Sequence, residues 1–94
     1  MSEPLRVSPA SLTPLGTGLH RPECVVLDRN GDVHVPDWRG GVTRIAPDGS
    51  QETWLARNPP IELRPNGIAL MPDGSFLLAN LGDAGGVWRL RRNG

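Results

Sequence analysis

The sequence predicts an all-β fold, and within that class a β-propeller fragment of antiparallel four-stranded blades, on three observations. The chain repeats itself. Arg21-Pro22 returns 43 residues on as Arg64-Pro65, Leu27 as Leu70 and Gly31 as Gly74; after two extra loop residues, Gly40-Gly41-Val42, Arg44 and Gly49 return as Gly85-Gly86-Val87, Arg89 and Gly94. A fixed period outweighs local propensity as a fold signal, and four-stranded units of roughly 40 to 45 residues are propeller blades. Short apolar runs are punctuated by Asn-Gly and Asp-Gly pairs, whose positive φ angles suit tight hairpin turns. Gly (12) and Pro (10) make up almost a quarter of the 94 residues, a turn-rich composition.

The elements follow in order. Residues 1–18 form an N-terminal segment in which 8–16 reads as one further strand, the outer strand of a preceding blade. The first blade, 19–58, has strands at 24–27, 33–35, 42–46 and 51–55, ended by Asn30-Gly31, Arg39-Gly40-Gly41, Asp48-Gly49 and Pro59-Pro60. The second, 59–94, has strands at 68–71, 76–79 and 87–90 and reaches Asn93-Gly94 where its fourth is due. Residues 22–56 are therefore expected to form one four-stranded antiparallel sheet, and 66–91 three strands of a second packed face to face on it. Propellers close with about 4 to 8 blades, so the alternative is a small stand-alone all-β sandwich holding both repeats.

Length and charge narrow the function classes. A chain of 94 residues is one domain at most and buries only about 60 to 65% of its unfolded surface, which excludes a large enzyme core. Ten Lys and Arg balance ten Asp and Glu, so no basic field draws nucleic acid. Cys24 alone can close no intrachain disulfide and makes no zinc site. With no apolar h-region at the N-terminus and no apolar stretch of spanning length, the expectation is a cytoplasmic protein without a membrane partner.

The repeat also organises the candidate chemistry. Arg21-Pro22-Glu23 becomes Arg64-Pro65-Asn66, so Glu23 and Asn66 are mates at the entry to the innermost strands. They would present a carboxylate and an amide oxygen to one axial space, hard donors that suit calcium, magnesium or manganese. Two donors fall short of the six to eight that calcium takes, and the alternative is a pair of ordinary loop residues. Asp37 and Asn80, mates at the ends of second strands, are candidates for a substrate mouth or, alternatively, for turn capping. His20 and His34 lack metal-ligand spacing and no serine sits in a nucleophile elbow, so a Ser-His-Asp hydrolase has no support and no catalytic residue is assigned. His34 is expected to face solvent or a neighbouring sheet, Trp38 and Trp88 to pack between blades, and Cys24 to be inert packing.

The runs RPECVVLDRNGDVHVPDW, GGVTRIAPDGS and RPNGIALMPDGSFLLANL resemble the gluconolactonase and senescence-marker-protein (regucalcin-like) family over roughly residues 15 to 94. The resemblance implies a six-bladed propeller that hydrolyses a lactone or related ester with a divalent metal in its channel. Calcium is the first expectation, with manganese, magnesium or zinc as others. It also implies that Glu23 matches a metal-ligating Glu of the first blade and Asn66 the ligand Asn of a PNG motif. In the family that motif lies several blades after the Glu, whereas here it comes one repeat later, which leaves a substrate-side or turn role for Asn66 open. The family's ligand-and-base Asp has no counterpart here, so the chain by itself is expected to be inactive. A non-catalytic propeller module for binding or interaction is the reading from a different class. In either reading the open blade edges invite self-association.

Overall fold

The computed structural model describes residues 3–93. The chain forms two antiparallel sheets, and among the described residues there is no α-helix. The first sheet has the order β1-β2-β3-β4, with β1 at Val26–Leu27, β2 at Val33–Asp37, β3 at Gly41–Ile45 and β4 at Gln51–Leu55. The second has the order β5-β6-β7, with β5 at Pro65–Leu70, β6 at Phe76–Asn80 and β7 at Val87–Leu90.

Registers repeat with the sequence. In the first sheet Val26 pairs with His34 and Leu27 with Val33; in the second their mates Ala69 and Leu70 pair with Leu77 and Phe76. Likewise Val33 pairs with Ile45 and Val35 with Thr43, as Phe76 pairs with Leu90 and Leu78 with Trp88. The turns explain this agreement. At the β1–β2 turn Asp28 bonds through its N–H to the Asp32 carbonyl and through its carbonyl to the Gly31 N–H, and at the β5–β6 turn Met71 makes the same two bonds with Ser75 and Gly74, each glycine at positive φ. Such a loop closes on a defined residue pair and so sets the register of the hairpin.

Two departures from expectation have local causes. The strand at 24–27 shortens to Val26–Leu27, because extending its ladder would set Cys24 opposite Pro36, which has no N–H to donate. In the second sheet Ala79 stands in that place, and β5 runs back to Pro65 through an irregularity between Pro65 and Ile68. Residues 8–16 form no strand. Ser8 instead caps a short 3-10 turn at Pro9–Ser11, with Pro9 at its start, and Leu5, Val7 and Leu12 stand exposed. Beyond that turn Thr17 docks on the start of β4 through a side chain in place of a backbone ladder, its N–H donating to Gln51 Oε1 at 2.7 Å and its carbonyl accepting from Gln51 Nε2 at 3.0 Å.

The sheets meet on one apolar layer. Val42, Leu63, Phe76, Leu78 and Leu90 are buried together, with Trp54, Ile61, Ile68, Leu70 and Trp88 packed against them. Phe76 lies against the His34 ring at 5.3 Å between centroids and the Trp54 ring at 5.9 Å. Gly41 permits the close approach of β3 and β4, since a Cβ there would collide with the Trp54 carbonyl. Among the described residues no helix is long and apolar enough to cross a membrane.

Candidate functional site

Equivalent backbone positions in two stacked sheets carry their side chains to the same end of the molecule. Glu23 precedes β1 and Asn66 lies on β5, 43 residues apart, and the Asn66 Nδ2 donates a hydrogen bond to Glu23 Oε2 at 3.1 Å. The other carboxylate oxygen faces Arg21, whose Nη2 lies 3.7 Å from Oε1. Glu23 is about two-fifths exposed, so both groups border solvent. The pair is thus brought together as the repeat requires. The amide presents its nitrogen to the carboxylate, and holding a cation would need the amide turned about its last torsion so that Oδ1 faces inward. In donor chemistry the two fit a hard divalent ion. Among the described residues no three His, Cys, Asp or Glu side chains cluster as further ligands.

Asp37 and Asn80 are both buried and both hold loops. The Asp37 Oδ1 accepts from the Arg39 backbone N–H at 2.8 Å and from Arg39 Nε at 3.0 Å, while Oδ2 takes Arg39 Nη2 at 2.7 Å. Burial raises the Asp37 carboxyl, but the hydrogen bonds and charge of Arg39 outweigh it and hold the group below its usual value. In Asn80 the same oxygen accepts from Gly82 N–H at 2.9 Å and Arg64 N–H at 2.8 Å, and Nδ2 donates to the Gly85 carbonyl. The side chains proposed for a substrate mouth thus spend their polar atoms on the loops that follow β2 and β6.

Sequence reasoning missed a cationic clamp beside Glu23. The guanidinium of Arg21 lies 4.4 Å from the Trp38 ring centroid and that of Arg64 5.9 Å from it, so two repeat mates flank one indole. Arg64 Nη1 also donates to the Trp38 carbonyl at 2.9 Å, and its Nη2 pairs with Glu62 at 2.9 Å. The signal was the identity of Arg21 and Arg64 across the repeat. Arg21 further adopts φ 54, a conformation uncommon outside glycine and asparagine, which turns the chain into Glu23.

The remaining candidates sit away from solvent chemistry. His34 is fully buried between the sheets, with Asp28 Oδ2 4.0 Å from its Nε2 and, among the described residues, no hydrogen-bond partner for either ring nitrogen. Burial lowers its pKa, with Asp28 opposing the shift. Cys24 turns its thiol towards the Ile68 carbonyl at 3.8 Å, and Trp88 donates to the Gly85 carbonyl at 3.0 Å while packing on the core. Set against known proteins, the chain matches no family model, and neither the curated proteins nor the solved structures yield a match.

Proposed function

We propose that this chain is a two-blade section of a propeller of the gluconolactonase and regucalcin-like type, a divalent-metal-dependent hydrolase of a lactone or related ester. The observation that carries the reading is the 3.1 Å contact between Glu23 and Asn66, the mates that the repeat places at the entry to adjacent inner strands. Glu23 contributes a carboxylate and Asn66 a carbonyl oxygen, while Arg21 and Arg64 brace the segment before Glu23 and the entry to β5 against Trp38. A cation held there would polarise an ester carbonyl and lower the pKa of water. Trp38, contacted by both guanidinium groups, links the two entry segments.

The test is a titration of the 15N-labelled chain with manganese, read as paramagnetic broadening. Broadening centred on residues 21–24 and 65–67, with the millimolar affinity expected of about two protein donors and lost in Glu23→Gln, supports the reading. Broadening that is absent, or centred elsewhere, overturns it.

A further inference from the structure

The second sheet ends on β7, which has a strand beside it on one edge only. The ladder with β6 says which backbone groups the other edge presents. Asn80 N–H donates to the Gly86 carbonyl at 3.0 Å, so by the alternation of an antiparallel pair Trp88 and Leu90 exchange hydrogen bonds with Leu78 and Phe76. Val87 and Arg89 therefore turn their N–H and C=O groups outward, and among the described residues no strand pairs with them. Their mates in the first sheet, Val42 and Arg44, face β4 instead. Ala56 N–H bonds to the Gly40 carbonyl and Ala46 N–H to the Ser50 carbonyl, which brackets a ladder where Val42 exchanges bonds with Trp54 and Arg44 with Glu52. Across that ladder Arg44 Nη2 lies 3.4 Å from the Glu52 carboxylate.

The space beside β7 has a shape and a charge. In the first blade β4 sets Thr53 and Gln51 beside Thr43 and Ile45. The Thr53 and Thr43 hydroxyls meet at 2.8 Å, and Gln51 holds Thr17 of the segment ahead of the sheet. In the second blade the mates of Thr43 and Ile45 are Trp88 and Leu90, and between them and the segment 57–61 ahead of that sheet lies a cavity of about 350 Å³. Arg57, Arg89 and Arg91 border it, and among the described residues none of the three is paired with a carboxylate. An edge with free main-chain groups gives affinity for an added strand, and a cavity for its alternate side chains gives specificity. We infer that β7 takes up an extended acidic segment of another protein as a fourth strand, antiparallel to it. A carboxylate opposite Arg89 and an aromatic side chain opposite Val87 take the places that Glu52 and Trp54 hold in the first blade. The side chains opposite Trp88 and Leu90 enter the cavity. Charge selects this occupant over the β7 edge of a second copy, since pairing that edge with itself brings Arg89 and Arg91 against arginines. The docking does not depend on a cation at Glu23.

The experiment titrates the 15N-labelled full chain with a synthetic peptide of residues 50–56, which carries the required pattern, and reads amide shifts and amide hydrogen exchange. Shifts are expected to centre on residues 57–61 and 87–91, and the Val87 and Arg89 amides to exchange more slowly when the peptide is bound. Arg89→Glu should bind at least about tenfold more weakly, a difference of roughly 1.4 kcal/mol. A peptide carrying Glu52→Lys should recover that loss on Arg89→Glu and bind the wild type poorly. Arg89→Pro removes an N–H that the fold does not use and should abolish binding. Far-UV circular dichroism checks that each variant keeps its sheets. A peptide that shifts no amide, shifts centred elsewhere, or binding that leaves the Val87 and Arg89 exchange unchanged overturns the inference. So does self-association of the chain, read by sedimentation equilibrium without peptide, that Arg89→Pro abolishes, since the edge then belongs to a second copy.

Discussion

His34 shows how one side chain ties the two sheets to pH. It stands fully buried against Phe76, and its lowered pKa means that the fold favours the neutral ring. The ring faces Asp28 and Asp32 from the first sheet's own hairpin and Arg92 from the segment after β7. A group whose folded pKa lies below its unfolded value of 6.5 supports the fold fully above that value. The support is lost as pH falls from there through the folded pKa. Urea midpoints measured from pH 8 to pH 5 should therefore decline on the acid side for the wild type. They should be flatter for His34→Leu, which installs the residue type of the mate Leu77. The carboxylates with lowered pKa values, Asp37, Asp48 and Asp73, act in a separate window: their support is present above 3.8 and lost below it.

Among the strands of the second sheet, β5 lies nearest the first sheet and β6 supplies the wholly buried side chains of the shared core. Phe76 and Leu78 are wholly buried, and they project from the middle strand of the second sheet onto Val42 of the first. Truncating Phe76 leaves a ring-sized void between two sheets that cannot both close on it, at a cost of about 3 to 5 kcal/mol. A chain this small has little stability in reserve. Phe76→Ala should therefore lose its cooperative thermal transition, whereas Phe76→Leu should keep it at a lower midpoint. Circular dichroism melts distinguish the two. Strand order and register were legible in the residues, because each Asp-Gly or Asn-Gly turn closes on a defined pair and the repeat supplies the same pairs twice. The length of β1 was not, since the expectation weighed the apolarity of 24–27 and not the missing N–H of Pro36 opposite Cys24.

At the scale of the whole molecule, two sheets share one interface and bring together two oxygen-bearing side chains. Pairing Glu23 with Asn66 leaves most of a cation's coordination to water, and Arg21, the cation beside Glu23, is no base. Dilute enough to be monomeric, the chain should hydrolyse neither an aldonolactone nor an aryl ester with calcium, manganese or zinc added. Initial-rate assays of the wild type and Glu23→Gln should be indistinguishable from buffer. Turnover that Glu23→Gln abolishes would show a site completed within one copy.

What the sequence determined by itself was whatever depends on spacing along the chain: the all-β class, the two strand groups, the turns, and the equivalence of Glu23 with Asn66. Repetition makes these local, because mates inherit the same turn chemistry and the same alternation of faces. Only the tertiary structure decided how the equivalent positions meet. It set Phe76 on His34, so that a strand histidine became a buried neutral ring, and it closed Arg21 and Arg64 around Trp38. Those outcomes depend on the offset and rotation between two sheets, which packing of side-chain volumes decides and no periodicity along one strand records.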